Sequence, residues 1–96
     1  MGTEELLKEK REEILRVATK HGARNVRIFG STVRGEAGPE SDVDFLVDVE
    51  PVHSSWFPAA LILDLEELLG KKVDVVTEDS IYWLLRRRIL KEAKPL

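Results

Sequence analysis

The stretch that most constrains this chain is GSTVRGEAGPESDVDFLVDV, residues 30–49. It contains a Gly-Ser pair, then ten residues, then two aspartates, Asp42 and Asp44, which lead into the apolar run 45–47. Acidic residues are unusual at the start of a strand that otherwise has the composition of a core. Because side chains alternate along a strand, both carboxylates are predicted on one face, with Cα atoms roughly 6.6 Å apart at ~3.3 Å per residue.

Two carboxylates held side by side repel each other unless a positive charge lies between them. Mg²⁺ is the usual candidate, since it takes oxygen ligands and shares them with substrate phosphates. Upstream, Gly30 and Ser31 offer a phosphate close backbone approach, a hydroxyl and N–H groups at the start of a short helix. Arg34, one turn later, can pair with a phosphate oxygen. The pattern therefore predicts a metal site at Asp42 and Asp44 beside a phosphate site.

A third aspartate, Asp74, is also an acidic residue in a strand that is otherwise apolar, predicted at residues 71–77. If that strand is the parallel neighbour of the strand at 43–49, Asp74 lies beside Asp42 and Asp44. Three carboxylates on one sheet face can hold two divalent ions, which grip the attacking and leaving oxygens of a phosphoryl displacement. A single Asp at a strand start is often only a turn former, so the prediction depends on the combination.

The rest of the chain alternates between helical and strand patterns. A helix over residues 3–21, with Thr3 as its N-cap, precedes a strand at 23–29 and a short helix at 32–36. A second strand at 43–49, a helix at 59–69 and a third strand at 71–77 follow. The last helix is predicted to begin near residue 79 or 80 and to bury a stripe of Ile81, Leu84, Leu85 and Ile89.

This αβαβαβα order predicts an α/β or α+β fold with a small mixed sheet and packed helices. The second and third strands are expected to run parallel through a right-handed crossover, and the first and second antiparallel.

Composition narrows the classes of function. The chain has 96 residues, and this length predicts one domain over residues 1–96. It contains neither a membrane-spanning apolar run nor a signal-peptide pattern, so a cytoplasmic protein is expected. Zero cysteines exclude thiol catalysis and fit that location. A net charge of −3 argues against direct nucleic-acid binding.

Several conspicuous side chains are expected to be structural. His21 is interpreted as a cationic helix end rather than a catalytic base, and His53 has no partner in the sequence that would make it a ligand. Trp56 and Phe57 are expected to staple the next helix to the core rather than to stack on a base. The arginines at 86–88 diverge by ~100° per residue, which favours a solvated face over one patch. Contact of these arginines with a partner or a polyanion stays open.

The motif of residues 30–49 resembles the signature of the minimal nucleotidyltransferases in the DNA polymerase β superfamily: Gly-Ser, ten residues, Asp-x-Asp. The HG–strand–FGS segment, the LLGKKVDVVTED stretch and the C-terminal helix are similar as well, so the resemblance covers essentially the whole chain. It implies that Asp42, Asp44 and Asp74 bind two Mg²⁺ ions, with Mn²⁺ as an alternative metal. It also implies that Gly30 and Ser31 bind a triphosphate, and makes Asp74 a candidate acceptor for the proton of an incoming hydroxyl.

The implied reaction transfers a nucleoside monophosphate, in the first instance AMP from ATP, to a hydroxyl, with pyrophosphate leaving. Members of the family often act as antitoxins that add AMP to a tyrosine of a HEPN-domain RNase toxin, so such a toxin is the implied partner. A chain of 96 residues is not expected to hold the second domain with which larger relatives bind antibiotics, tRNA or DNA. The acceptor is therefore expected on a separate molecule, or at the interface of a homodimer.

Other functions stay open beside this one. The chief alternative is a non-catalytic antitoxin that inhibits its partner by stoichiometric binding through Trp, Tyr and Arg side chains, which dominate interface hot spots. Nucleotidylation of a small molecule ranks lower, since no acceptor-binding domain is present. Template-directed polymerisation ranks lowest.

Overall fold

The computed structural model describes residues 2–38, 41–51 and 56–96; His53 lies outside them. Within these ranges, four α-helices and four strands alternate with two short 3-10 turns, at Gly30–Thr32 and Glu78–Ser80. The elements are α1 (Thr3–Glu9), α2 (Arg11–Lys20), β1 (Ala23–Phe29), β2 (Val43–Val49), α3 (Ala59–Leu69), β3 (Val73–Val76), α4 (Trp83–Glu92) and β4 (Lys94–Pro95).

The four strands form one mixed sheet in the order β3-β2-β1-β4. Strand β2 is parallel to β3 and antiparallel to β1, which confirms both predicted directions. The parallel pair is connected through α3, because parallel neighbours need a crossover long enough to return the chain to the same end of the sheet. The predicted mixed α+β architecture is therefore confirmed.

The central strand β2 separates the core from the candidate site. Val43, Phe45 and Val47 are buried and pack in one cluster with residues of α2, α3 and β3, among them Ile14 and Leu61. Because side chains alternate along a strand, Asp44 projects to the opposite face of the sheet. The burial that anchors β2 thus fixes the face on which its acidic residues lie.

The predicted first helix is interrupted at Lys10, which divides it into α1 and α2. Backbone bonds continue through the interruption, from the Lys10 N–H to Leu6 and from the Ile14 N–H to Lys10. Thr3 is not the N-cap: Gly2 takes that position and Thr3 is buried in the first turn. The polar N-cap rule fails here because the threonine side chain is part of the packing instead.

The last helix differs most from the prediction. It begins at Trp83, because Thr77 and Ser80 cap each other and close a separate 3-10 turn before it. The predicted buried stripe is wrong: Leu84 is 58% exposed, Leu85 is 46% exposed, and no residue of α4 is buried. Apolar periodicity identifies an apolar helix face, but it does not reveal whether another element covers that face.

Strand β4 was not predicted; it pairs antiparallel with Arg27 and Ile28 of β1. A two-residue strand that contains proline carries little local strand signal.

Within the described part of the chain, every helix is too short or too polar to cross a lipid bilayer.

Candidate active site

The site begins where β1 ends and the chain turns sharply at Gly30. The residue has a φ of +78°, a left-handed conformation that side chains rarely adopt. A β-carbon at Gly30 would also overlap the Asp44 carboxylate. Glycine is therefore required twice, by the turn and by the close approach of the backbone to that acid.

Strand pairing sets the aspartates on neighbouring strands. Asp44 pairs with Asp74 across the parallel β2–β3 ladder, and with Phe29, next to Gly30, across the antiparallel β1–β2 ladder. Residues in matching register on adjacent strands share a face and lie about 5 Å apart. Asp42 is exposed and lies two residues ahead of Asp44, just before β2 begins. The structure thus brings the Gly-Ser turn and the strand aspartates to one end of three strands.

Asp44 is the aspartate whose pKa this arrangement changes. Burial, together with the nearby charges of Asp74 and Asp42, raises the pKa of the Asp44 carboxyl from 3.8 to about 6. Arg34 opposes this rise and Glu92 adds to it. The site therefore has an excess of negative charge, which a cation would relieve.

The donor set fits a hard divalent cation, although the described side chains are not gathered around one point. No three His, Cys, Asp or Glu side chains within residues 2–38, 41–51 and 56–96 form a group able to hold a metal ion. Like-charged carboxylates favour separated rotamers, and the side chains of Asp42 and Asp74 are exposed, so they have room to turn. Carboxylate oxygens alone suit Mg²⁺ or Mn²⁺ rather than a softer metal.

The residues predicted to bind phosphate are together, but a carboxylate links two of them. Glu92, the last residue of α4, accepts a hydrogen bond from the Gly30 N–H through Oε2 at 3.0 Å. Its Oε1 accepts another from Nη1 of Arg34 at 2.7 Å, while Nε of Arg34 donates to Glu36 at 2.9 Å. Ser31 is partly exposed beside them.

Sequence reasoning missed Glu92. The available signal was weak: an acidic residue in the last turn of a helix opposes the helix dipole and so calls for a compensating partner. Its two partners lie 62 and 58 residues earlier in the chain. No local pattern identifies contacts at that separation.

Among the other residues singled out in the sequence analysis, several make structural contacts. Nε2 of His21 lies 2.6 Å from Oδ2 of Asp64 and so joins the end of α2 to α3. Phe57 packs against the core cluster, whereas Trp56 is largely exposed. Of the three arginines, Arg86 approaches Glu78 at 3.6 Å.

A cavity of about 590 Å³ lies away from the aspartates, at the carboxyl ends of β2 and β3. Val49, Phe57, Thr77 and Ser80 are among its lining residues. Asp44 and Asp74 belong to the opposite, amino-terminal part of these parallel strands. The candidate site is therefore not part of this cavity.

Known proteins of one family are similar to this chain over most of its length. The family model described as "Nucleotidyltransferase domain" matches residues 7–96. A Methanocaldococcus jannaschii protein provisionally named a protein adenylyltransferase is 42% identical over 87 residues, which cover 91% of this chain and 94% of that protein. Protein adenylyltransferase MntA of Thermococcus cleftensis is 40% identical over 89 aligned positions, covering 84% of this chain and 90% of that protein.

Solved structures show the same fold. A provisionally assigned minimal nucleotidyltransferase superposes with a TM-score of 0.83 at 46% identity, covering 96% of this chain and 94% of that one. A crystal structure of a toxin–antitoxin with AMP-PNP superposes with a TM-score of 0.74 at 21% identity, covering 88% of this chain and 69% of that one.

Proposed function

The chain belongs to the nucleotidyltransferase domain family and is a nucleotidyltransferase; from this premise we propose that it transfers AMP from ATP to a hydroxyl of a partner protein. The observation that carries the proposal is the strand register, which sets Asp44 beside Asp74 and beside the Gly30 turn. This juxtaposition puts cation ligands next to backbone that can approach a phosphate.

In this proposal Asp42, Asp44 and Asp74 hold the magnesium ions. Bound Mg²⁺ neutralises the triphosphate and stabilises charge on the attacking and leaving oxygens. Gly30 and Ser31 donate hydrogen bonds to the phosphates, because the turn excludes a side chain at Gly30 and so lets a phosphate approach the backbone. Asp74 is exposed on the edge strand β3. It is therefore accessible to an acceptor hydroxyl and suited to take its proton.

A protein acceptor is supported by the names of two relatives that match nearly their whole length. Toxin–antitoxin complexes among the structural neighbours support a toxin as that protein. The HEPN class of toxin follows from the resemblance of the motif. The exposure of Asp42 and Asp74 suits an acceptor that arrives on a separate macromolecule, since a large partner can reach them directly.

The test is transfer of label from α-³²P-ATP to a toxin encoded beside this chain, with the mass of the toxin measured afterwards. The double variant Asp42→Asn/Asp44→Asn should lose at least ~100-fold in rate, because it loses metal ligands with little change in shape. Asp79→Asn is the matched control, since Asp79 is also exposed but lies in the turn before α4. Transfer by the double variant at the wild-type rate would refute the assignment.

A second function, inhibition by binding alone, is favoured by the exposed aromatic and leucine side chains around α4. Tyr82 is 58% exposed and Trp83 is 73% exposed, and residues of these types anchor protein interfaces. The mass of the co-expressed toxin separates the two functions. Addition of AMP supports transfer, whereas a silenced but unmodified toxin supports binding alone.

A further inference from the structure

Glu92 contacts two of the three residues that the sequence motif predicts to bind phosphate. Its two carboxylate oxygens accept from the Gly30 N–H at 3.0 Å and from the Arg34 guanidinium at 2.7 Å. The side chain is only 14% exposed, so this is a contact made inside the site rather than on its rim. A phosphate group bound there would present its oxygens to the same two donors.

The two sets of contacts exclude each other. A backbone amide carries one hydrogen, so the Gly30 N–H cannot make a well-aligned bond to Glu92 and to a phosphate together. Arg34 has further N–H groups, but its Nε is already bonded to Glu36. A carboxylate and a phosphate at one pair of donors would also repel each other.

Glu92 is charged and acts on the neighbouring aspartates. Burial favours its protonated form, but the hydrogen bonds from Arg34 and Gly30 outweigh burial and lower the pKa of Glu92. Its charge in turn is one of those that raise the pKa of Asp44. A negative charge therefore stands where the triphosphate has to arrive.

No residue of α4, the helix that carries Glu92, is buried, and Ile89 and Leu90 in its last turn are partly buried. Arg86 of the same helix approaches Glu78 at 3.6 Å, a contact between partly exposed side chains. Movement of the last turn of α4 would therefore expose only side chains that already reach solvent in part. The main electrostatic cost of releasing Glu92 is the loss of its bonds to Gly30 and Arg34, which a phosphate can replace.

We propose that Glu92 is an intramolecular substitute for a phosphate group, which a nucleotide must displace from Gly30 and Arg34 when its triphosphate binds. The inference rests on the proposed function for the identity of the ligand. It adds that α4 and the nucleotide site are coupled: what displaces the end of α4 favours nucleotide binding, and nucleotide binding frees the end of α4. By linkage, the two effects are reciprocal.

The test measures the affinity for inorganic tripolyphosphate by isothermal titration calorimetry at fixed Mg²⁺ concentration. Glu92→Gln keeps the shape of the side chain but removes its charge, so the variant should bind about tenfold more tightly, the scale of one charge-assisted hydrogen bond. Glu67→Gln removes the same charge from an exposed position of α3 and should change the affinity by less than about twofold. Equal or weaker binding by Glu92→Gln would overturn the inference.

Nuclear magnetic resonance of the wild-type chain gives a second readout that does not depend on a variant. Saturating tripolyphosphate should shift the Gly30 amide and the resonances of Glu92 and Ala93 together, because Gly30 and Glu92 lose their shared contact and Ala93 follows Glu92 in the chain. A shift of Gly30 without any change at the end of α4 would overturn the inference.

The outcomes also separate this inference from the proposed function, since tripolyphosphate carries no nucleoside to transfer. Tighter binding by Glu92→Gln in a chain that adenylylates no partner supports the inference and refutes the function. Adenylylation by the wild type without tighter binding by Glu92→Gln supports the function and refutes the inference. Binding to neither wild type nor variant would refute the inference.

Discussion

At the scale of single residues, the conformation of Gly30 and the position of the Asp44 carboxylate depend on each other. The positive φ at Gly30 turns the chain out of β1, and the missing side chain leaves room for the Asp44 carboxylate. The same proximity places Asp44 partly in the protein interior, where ionisation is costly. One steric requirement thus accounts for both the left-handed turn at Gly30 and the position of an acid with a raised pKa.

The raised pKa predicts a pH-dependent gain in stability for Asp44→Asn. The Asp44 pKa is about 6 in the folded chain against an ordinary value of 3.8, so the stabilisation contributed by its protonated form is lost as pH rises between these values. Asparagine does not ionise. In the presence of EDTA, the variant should therefore exceed wild type by about 1–2 kcal/mol at pH 8, allowing for partial exposure, and the gain should shrink towards pH 4.

Urea unfolding of both proteins across pH 4–8 measures this difference. Asp79→Asn serves as control, because Asp79 is exposed in a surface turn. A stability difference that does not change with pH would contradict the assigned pKa, and so would a loss of stability at pH 8.

At the scale of elements, local signals predicted the parts of the fold that local interactions determine. Strands β1 and β2 and helix α3 have the predicted bounds, because alternation, the caps and Gly70 in the left-handed conformation are encoded nearby. The direction of β3 followed from the crossover rule, and with it the position of Asp74 beside the Asp42 and Asp44 pair, whereas the register that pairs Asp74 with Asp44 itself was not predicted. These elements carry most of the candidate site.

Helix α4 shows what local signals cannot predict. Its leucines have helical spacing, yet burial depends on a neighbouring surface that the sequence does not specify. The contacts of Glu92 and the pairing of β4 with β1 likewise depend on residues far apart in the chain. The missed features therefore lie in the segment that tertiary contacts, rather than periodicity, determine.

The exposure of α4 predicts a contrast between two identical substitutions. Leu61→Ala should cost about 2–5 kcal/mol of unfolding free energy, because Leu61 is fully buried in the core. Leu84→Ala should change the stability by no more than about 0.5 kcal/mol, because Leu84 is 58% exposed. Chemical denaturation at low protein concentration gives both values. A cost above ~2 kcal/mol for Leu84→Ala would contradict the exposed position of α4.

At the scale of the whole molecule, folding concentrates negative charge that the unfolded chain keeps dispersed. Asp44 and Asp74 are separated by 29 intervening residues in sequence, but pair directly in the sheet. With 18 acidic and 15 basic residues, the chain has few spare cations to neutralise this face, and Arg34 is bound to two glutamates. A ligand that supplies positive charge there binds only the folded form and therefore stabilises it.

We accordingly expect Mg²⁺ to raise the melting temperature of the wild-type chain. At ~100 times its dissociation constant, a single bound ion contributes about 2.7 kcal/mol, equivalent to roughly 10–20 °C for a domain of this size. The increase should disappear in Asp42→Asn/Asp44→Asn and persist in Asp79→Asn. Potassium chloride at equal ionic strength must be run in parallel, because screening alone relieves part of the repulsion. If Mg²⁺ and matched potassium chloride raised the melting temperature equally, the aspartates would be an acidic face without a metal site.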